Sequence, residues 1–448
     1  MTLERVLVAN RGEIALRVIE ACRELGIDSI AAYSRADARM PYLKLASKSV
    51  CIGPADARRS YLSIPALISA AEVTGAQAVH PGYGFLSESP EFAEVVEEHG
   101  LIFVGPGRDV MRLVGDKLAA RAAVAAAGVP VLPGERLPDG ENDLKAAAER
   151  VGYPLLLKAV FGGGGRGMRL VEGPDGLRVA AQSAATEARK AFGDGSLYLE
   201  RALLNPRHIE VQVLADREGR VAHLGTRDCS IKRRHQKLVE EAPAPNLDPA
   251  LRARIHEAAL RSAQAVGLTN LGTVEFLLDP RGTFYFIEIN ARIQVEHPIT
   301  EVLYGTNLVR EQLLLAAGLP LDPAVADASP SGHAIECRIN AEDPKRHFLP
   351  SSGRLRVAEL PGGHGIRVDT HLHHGMVVSP HYDSLLAKVI AWGRDREEAR
   401  VRMVTALERF RVSGVSTTRP LVQEVVSHPA FCEGRTGTDF VDRLFSAG

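Results

Sequence analysis

The 448-residue chain has only five cysteines, almost no net charge and no long apolar run, and each shortage closes off a class of function. Cys22, Cys51, Cys229, Cys337 and Cys432 are scattered and odd in number, and no two have zinc-ligand spacing. Reduced thiols in a cytoplasmic protein follow as the simplest expectation. Lysine plus arginine number 54 against 55 aspartates plus glutamates, a formal net charge of -1. Such a balance offers no electrostatic footprint for nucleic acid or an anionic membrane as partner. No apolar stretch reaches bilayer-spanning length. Met1-Thr2-Leu3-Glu4-Arg5 leads straight into a strand pattern, without the layout of a signal peptide. Internal repeats and low-complexity tracts are missing too. The length suffices for two or three domains with ample core.

Residues 1–115 alternate between strand and helix patterns: RVLVAN (5–10), helical spacing from Glu13 to Leu25 ending at Gly26, SIAAYS (29–34), and so on to LIFVGP (101–106). This alternation predicts a parallel sheet with helices on its faces. The first turn, Asn10-Arg11-Gly12-Glu13, lacks the spaced glycines of a dinucleotide site and reads as scaffold. A second unit begins near Asp116-Lys117 and includes a helix from Gly305 to Ala317. LDPAVADASPSG (321–332) reads as a link to a third unit that opens with HAIECRINAE.

Chemistry concentrates in FYFIEINARIQVEHP, where Glu288, Asn290, Arg292, Gln294 and Glu296 occupy alternate positions. In an extended strand these five share one face, with Ile287, Ile289, Ile293 and Val295 turned mostly to the core. Upstream, GTVEFLL carries Glu275, and the turn-forming Asp279-Pro280-Arg281-Gly282 lies between the two runs. A hairpin centred there brings Glu275 opposite Glu288. Like charges facing across a ladder destabilise it unless something separates them. A divalent cation, magnesium or manganese, suits carboxylate and amide oxygens. A solvated hairpin face of mixed charge is the plain alternative.

Lys158 stands among Leu155, Leu156, Leu157 and Val160, where burial demands an anion. Gly162 to Gly165, with Gly167, follow at once and allow backbone amides to approach phosphate oxygens. Gly162, Gly164 and Gly167 satisfy GxGxxG, but a strand pattern from Met168 to Val171 follows instead of a helix, and no GxxxxGK[ST] exists. A flap folding over a triphosphate fits better than a fixed phosphate loop. Glu200 ends the strand pattern LYLE, as an acceptor for an adenine amino group or as a plain exposed acid. The basic run from Lys232 to Lys237 precedes Glu240-Glu241 and fits either salt-bridged surface or an anion site. His371, His373 and His374 read as a surface strand or dimer contact rather than a metal site.

Taken together, Lys117, Lys158 with GGGGRGM, RHIEVQV, RDCSIKRRHQKLVEEAPAP, EINARIQVEHPITE and AIECRINAED resemble the biotin carboxylases, the ATP-grasp components of biotin-dependent carboxylases. HPGYGFLSE (80–88) and SPHYDSLLAKVI (379–390) extend the resemblance over nearly the whole chain. It implies an α/β ATP-grasp enzyme: an N-terminal parallel α/β domain (1–115), an ATP-grasp domain (116–330) with a mobile glycine-rich lid near 131–202, and a C-terminal α+β domain (331–448). The implied activity is that of a ligase. ATP phosphorylates bicarbonate to carboxyphosphate, whose CO2 passes to the ureido nitrogen of biotin.

By the same resemblance, Lys117, Lys158, Gly162, Gly163, Gly164, Gly165, Gly167, His208 and His235 contact ATP, chiefly its phosphates. Met168, Glu200, Arg201, Leu203 and Leu277 surround adenine and its sugar. Glu275, Glu288 and Asn290 hold two Mg2+ or Mn2+ ions. Lys237, Arg292, Gln294 and the Val295 backbone hold bicarbonate, Glu296 is the general base, Arg338 stabilises the biotin enolate, and Tyr83 lies at that end of the site. No biotinyl Met-Lys-Met motif is present, so biotin is expected as a carrier-bound substrate. A biotin carboxyl carrier protein and a carboxyltransferase are the implied partners, and the implied assembly is a homodimer. Specificity for the final carboxyl acceptor is expected to lie in other components. Two competing readings are another ATP-grasp ligase, such as a carbamoyl-phosphate-forming enzyme, and a non-catalytic nucleotide-binding subunit.

Four positions depart from the family pattern. Val160-Phe161 stand before the glycines where many members have smaller residues, and Arg201 replaces a common lysine. Lys232 stands where the family usually has glutamine, and an ammonium cannot accept hydrogen bonds as an amide does. Lys232→Gln is expected to preserve or raise biotin-dependent turnover, measured as kcat and the KM for biotin; a large loss would give this lysine a role of its own.

Overall fold

The computed structural model describes residues 3–137, 141–161, 168–233 and 236–446. At the N-terminus, five parallel strands pair in the order Lys48–Gly53, Asp28–Ser34, Arg5–Val8, Ala78–His80, Ile102–Phe103. The helix Gly12–Glu24 buries Ile14, Val18, Ile19 and Cys22, a period that turns one stripe to the core. Alternation in the sequence thus becomes a helix-covered parallel sheet, as expected.

The central element is an antiparallel sheet of eight strands. Its order is Phe284–Asn290, Asn270–Leu278, Arg207–Ala215, Val221–Arg233, Gln236–Ala242, His333–Asn340, Leu385–Gly393, Ile366–Thr370. Strands from either side of the 321–332 link therefore share one sheet, and the ladder between Gln236–Ala242 and His333–Asn340 joins them. A separate four-stranded sheet, ordered Gly134–Arg136, Leu197–Arg201, Leu155–Ala159, Arg169–Val171, carries the helices Glu141–Val151 and Leu177–Phe192. It packs its own core, including Leu144, Leu155, Leu157, Ala184 and Leu199. Such a self-contained unit can move without opening its neighbours.

Local chemistry explains the elements that frame the site. The Asp279 carboxylate accepts from the backbone N–H of Arg281 and Thr283, and Gly282 takes a φ of 82°, which closes the predicted hairpin. Asp116 caps the helix Lys117–Ala126 by accepting from Leu118 N and Ala119 N, so Lys117 is its first residue.

Two expectations are corrected. The stretch from Gly305 to Ala317 is not one helix: Gly305, at φ 62°, ends the helix His297–Tyr304, and Asn307 caps the next, Leu308–Ala316. His371 follows the last residue of the strand Ile366–Thr370, is buried, and packs its ring against Gly12, so it does not sit on a surface strand. Among the described residues no helix is long and apolar enough to cross a membrane.

The joint between the two halves of the large sheet is partly ionic. Glu241 is buried on the joining strand and accepts from Arg396 at 2.7 and 3.1 Å, with His333 Nε2 at 2.9 Å. Burial raises the cost of its charge, but His333 and Arg396 more than offset this and hold the carboxyl below its usual range. Arg396 also donates to the carbonyls of Phe431 and Cys432. Arg396→Met leaves a buried carboxylate short of its counter-charge and is expected to cost about 3 kcal/mol in denaturant unfolding.

Candidate active site

Register places charges in a row across four neighbouring strands. Arg227 lies opposite Glu210, Glu210 opposite Glu275, and Glu275 opposite Glu288. The hairpin pairing expected from the sequence is therefore present, with a register shift just after it, between Glu275 and Phe276. Three carboxylates side by side need counter-charges, and the chain supplies them. Arg227, fully buried, uses all five guanidinium donors: on Glu210 at 2.5 Å, Gln212 at 2.7 Å, Thr300 at 2.9 Å, Thr273 at 3.1 Å and Gln294 at 2.8 Å.

Lys237 reaches three carboxylates at once, Glu210 at 2.6 Å, Glu275 at 3.2 Å and Glu296 at 2.5 Å. Burial works against its charge, yet these neighbours hold its ammonium well above its ordinary value. Glu275 is further surrounded by Asn290 Nδ2 at 3.0 Å, Gln294 Nε2 at 2.8 Å and His208 Nε2 at 2.9 Å. Burial pushes Glu275 up, but Lys237 and His208 dominate and keep its carboxyl well below the normal range. The far ring nitrogen of His208 contacts Lys232.

The strand ends at Asn290, so Arg292, Gln294 and Glu296 do not continue its alternation. They converge by a turn instead, and Glu296 sits at the N-cap of the helix His297–Tyr304, with Pro298 in its first turn. Glu296 is 2 % exposed and clamped from both sides: Oε1 accepts from Lys237 and Oε2 from Arg338 at 2.8 Å. Burial alone would raise its pKa; Lys237, Arg338 and Arg227 overcome that and hold it well below the usual carboxylate range. Arg338 also donates to Glu240 at 2.6 Å, whose buried carboxyl is nonetheless pushed up to about 7 by burial, with Arg338 opposing and Glu296 adding to the rise. Arg292 donates to Asn290 Oδ1 and Ile293 O and lies 3.3 Å from Glu88 of the N-terminal unit.

Toward the lid, Lys117 stands 3.7 Å from Glu288, and its backbone N–H bonds the carbonyl of Val160. Lys158 is buried as expected, and its anion in this structure is Glu200, which also pairs with Arg121. The Glu200 side chain thus faces two cations and is not an exposed acid. Arg201 joins the lid sheet opposite Leu155, Leu203 lies just beyond that strand, Met168 just before Arg169–Val171, and Leu277 pairs with His208. Tyr83 bonds Glu13 through its hydroxyl. Gly162, Gly163, Gly164, Gly165, Gly167 and His235 lie outside the described residues.

Hard oxygen donors for a divalent ion are present in Glu275, Glu288 and Asn290, on adjacent strands with the two carboxylates directly opposite. Ligand atoms of His208, Glu210 and Glu275 also lie within 4.8 Å of one another. Arg227, Glu210 and Glu240 were not anticipated as site residues. The alternation His208, Glu210, Gln212 within RHIEVQV was the available signal for one of them.

Comparison with known proteins agrees with this geometry. Residues 2–111 match the biotin carboxylase N-terminal domain and 336–443 the biotin carboxylase C-terminal domain. Residues 116–324 match the ATP-binding domain of the carbamoyl-phosphate synthase L chain. A biotin carboxylase of Pseudomonas aeruginosa is 51 % identical over 443 residues, covering 98 % of both chains. A biotin carboxylase from Campylobacter jejuni, solved as a β,γ-ATP complex, superposes with a TM-score of 0.96 at 44 % identity, covering 99 % of each chain. The biotin carboxylase domain dimer of Hydrogenobacter thermophilus 2-oxoglutarate carboxylase, solved with magnesium ADP, ADP and bicarbonate, gives 0.95 at 44 % identity, covering 99 % of this chain and 98 % of that one. The full-length matches, at about half identity, decide between the ligases that share this ATP-binding unit: the chain belongs to the biotin carboxylase family and is an ATP-grasp ligase.

Proposed function

We propose that this chain carboxylates biotin at the site built around Glu296, using ATP and bicarbonate by way of carboxyphosphate. The observation that carries the reading is the clamp on Glu296, a buried carboxylate between Lys237 and Arg338 and one turn from the Glu275–Glu288 pair. Lys237, Arg292, Gln294 and the Val295 backbone hold bicarbonate, a planar anion suited to a guanidinium. Glu296 takes its proton, and the freed oxygen attacks the terminal phosphorus of ATP with departure of ADP. The C–O bond of carboxyphosphate to phosphate breaks to give CO2, the phosphate so freed takes the ureido N–H proton of biotin, and the resulting nitrogen anion, its enolate form stabilised by Arg338, bonds to the CO2 carbon.

The nucleotide lies under the lid. By the family pattern, Lys117, Lys158 and His208, together with His235 and the glycines of 162–167 outside the described residues, are assigned to its phosphates, and Met168, Glu200, Arg201, Leu203 and Leu277 to adenine and ribose. Phosphoryl transfer depends mainly on positioning and charge neutralisation, which these residues provide. Glu275, Glu288 and Asn290 would hold two divalent ions, Mg2+ or Mn2+, which would supply charge neutralisation for phosphoryl transfer. Tyr83 lines the biotin end. Biotin arrives on a separate carrier protein, with a carboxyltransferase downstream. A homodimer is the assembly we infer, in keeping with the domain dimer solved for the Hydrogenobacter relative. Five free cysteines, three of them buried, are in keeping with a reducing cytoplasm. We place the domain limits at 1–115, 116–330 and 331–448, with the lid near 131–202.

The test is ADP release with magnesium and bicarbonate, with and without free or carrier-bound biotin. Biotin should stimulate release, the stimulation should vanish without bicarbonate, and Glu296→Ala should abolish it while ATP binding persists. Nucleotide binding without any stimulation by either form of biotin would instead indicate a silent subunit.

A pH profile tests the base. Glu296 must be ionised to accept a proton, so turnover is lost as pH falls through its pKa, which the surrounding cations hold well below the usual range. Arg338→Gln removes one of those cations, so the carboxyl rises and the acid limb of the residual turnover should move up by about one pH unit or more. An unmoved acid limb would assign the base to another group.

A further inference from the structure

Lys388 is a lysine in the middle of an apolar strand, Leu385–Gly393, and its side chain is fully buried. An ammonium in such a place is costly unless anions or carbonyls take its donors. Lys388 has three partners from three parts of the chain: it donates to the backbone carbonyl of Val295 at 3.1 Å and lies 3.0 Å from Glu13 and 3.6 Å from Asp369. Burial opposes its charge, but Glu13 and Asp369 more than compensate, and its pKa is raised.

Glu13 belongs to the helix Gly12–Glu24 of the N-terminal unit, and Asp369 to the last strand of the large sheet. Asp369 is in turn held by Arg367 at 2.6 and 2.8 Å, and Arg367 reaches Glu301 at 2.7 Å in the helix His297–Tyr304. The turn that precedes this helix has no strand ladder beyond Asn290. Its peptide between Val295 and Glu296 is a rigid plane. Fixing the Val295 oxygen therefore fixes the orientation of the Glu296 N–H at the other end of that plane, and with it the start of the Glu296 side chain.

We propose that Lys388 is a positioning residue for carboxylation, holding the Val295–Glu296 peptide from the C-terminal part of the chain so that the bicarbonate-binding turn and the base stay in register. The inference rests on the bicarbonate reading above. Lys388 touches no substrate. It donates to the turn and pairs with Glu13, which holds Tyr83; Lys117 and Lys158 approach the nucleotide from other elements, so at saturating biotin its loss should separate bicarbonate from ATP.

Steady-state ADP release at saturating biotin tests this in the wild type, Lys388→Met and Lys388→Arg. Wild-type release that fails to saturate with bicarbonate would remove the site reading itself, independently of Lys388. Given saturation, Lys388→Met should raise the bicarbonate KM roughly tenfold or more, the scale expected of a misplaced reacting group, with the ATP KM within about twofold of wild type. Lys388→Arg retains a cationic donor and should recover most of the loss. An unchanged bicarbonate KM, or an equal rise in the bicarbonate and ATP KM values, overturns the proposal. Should Lys388→Met not fold, Asp369→Asn removes one of the two anions at near-constant size; a smaller rise confined to the bicarbonate KM supports the role, and no change refutes it.

Discussion

A row of carboxylates side by side, two of them buried, is the constraint around which the centre of this protein is organised. Glu210, Glu275 and Glu288 face one another across three strands, and nothing in a β-ladder tolerates that without fixed counter-charge. Arg227 provides it at one end with every guanidinium donor used, and Lys237 provides it in the middle by bridging Glu210, Glu275 and Glu296. Around Arg227, Glu210 and Glu275 the network is buried and nearly saturated, so these side chains have little freedom to reorient. That rigidity is what a phosphoryl-transfer site requires, because the chemistry there depends on placement more than on reactive groups.

Contrast the lid, whose sheet and helices pack on themselves. Its buried lysine, Lys158, is satisfied by Glu200, and Glu200 by Arg121 as well. On the function proposed above, a phosphate approaching Lys158 would compete with a carboxylate already there, so nucleotide entry would exchange one anion for another. The backbone bond from Lys117 to Val160 ties the lid strand to the helix that points Lys117 at Glu288. The lid sheet is thereby linked to a cation beside the carboxylate pair.

Much of this could be read in the sequence where a local rule applied. Period-two alternation and the Asp279–Gly282 turn gave the hairpin and the opposition of Glu275 to Glu288. The rule failed beyond Asn290 because the strand stops there, and the turn reaches the same grouping of Arg292, Gln294 and Glu296 by a different path. Pro298 was the sign of a helix start that alternation concealed. Arg227 and Glu240 were hidden for another reason. Their importance arises from partners 15 to 98 residues away, fixed by register across several strands, and no short window contains that relation. Lys388 stands between these cases, since a lysine within an apolar strand is visible as an anomaly, as Lys158 was, but its partners are not.

The electrostatics of Glu296 bear on how the reaction is timed. With Lys237 and Arg338 both on its oxygens, the carboxylate is a weak base, since each cation stabilises the form that must accept a proton. On the proposed function, bicarbonate would place a competing anion beside Lys237 and Arg292, and biotin an acceptor beside Arg338. Each substrate that draws a cation from Glu296 raises its basicity. On that same reading, the base therefore gains strength as the site fills. Glu240, whose buried carboxyl is raised, accepts from the Nε of Arg338 at 2.6 Å and so shares that guanidinium with Glu296. The same buried charges that make the sheet rigid thus also make its one reactive carboxylate responsive to what is bound.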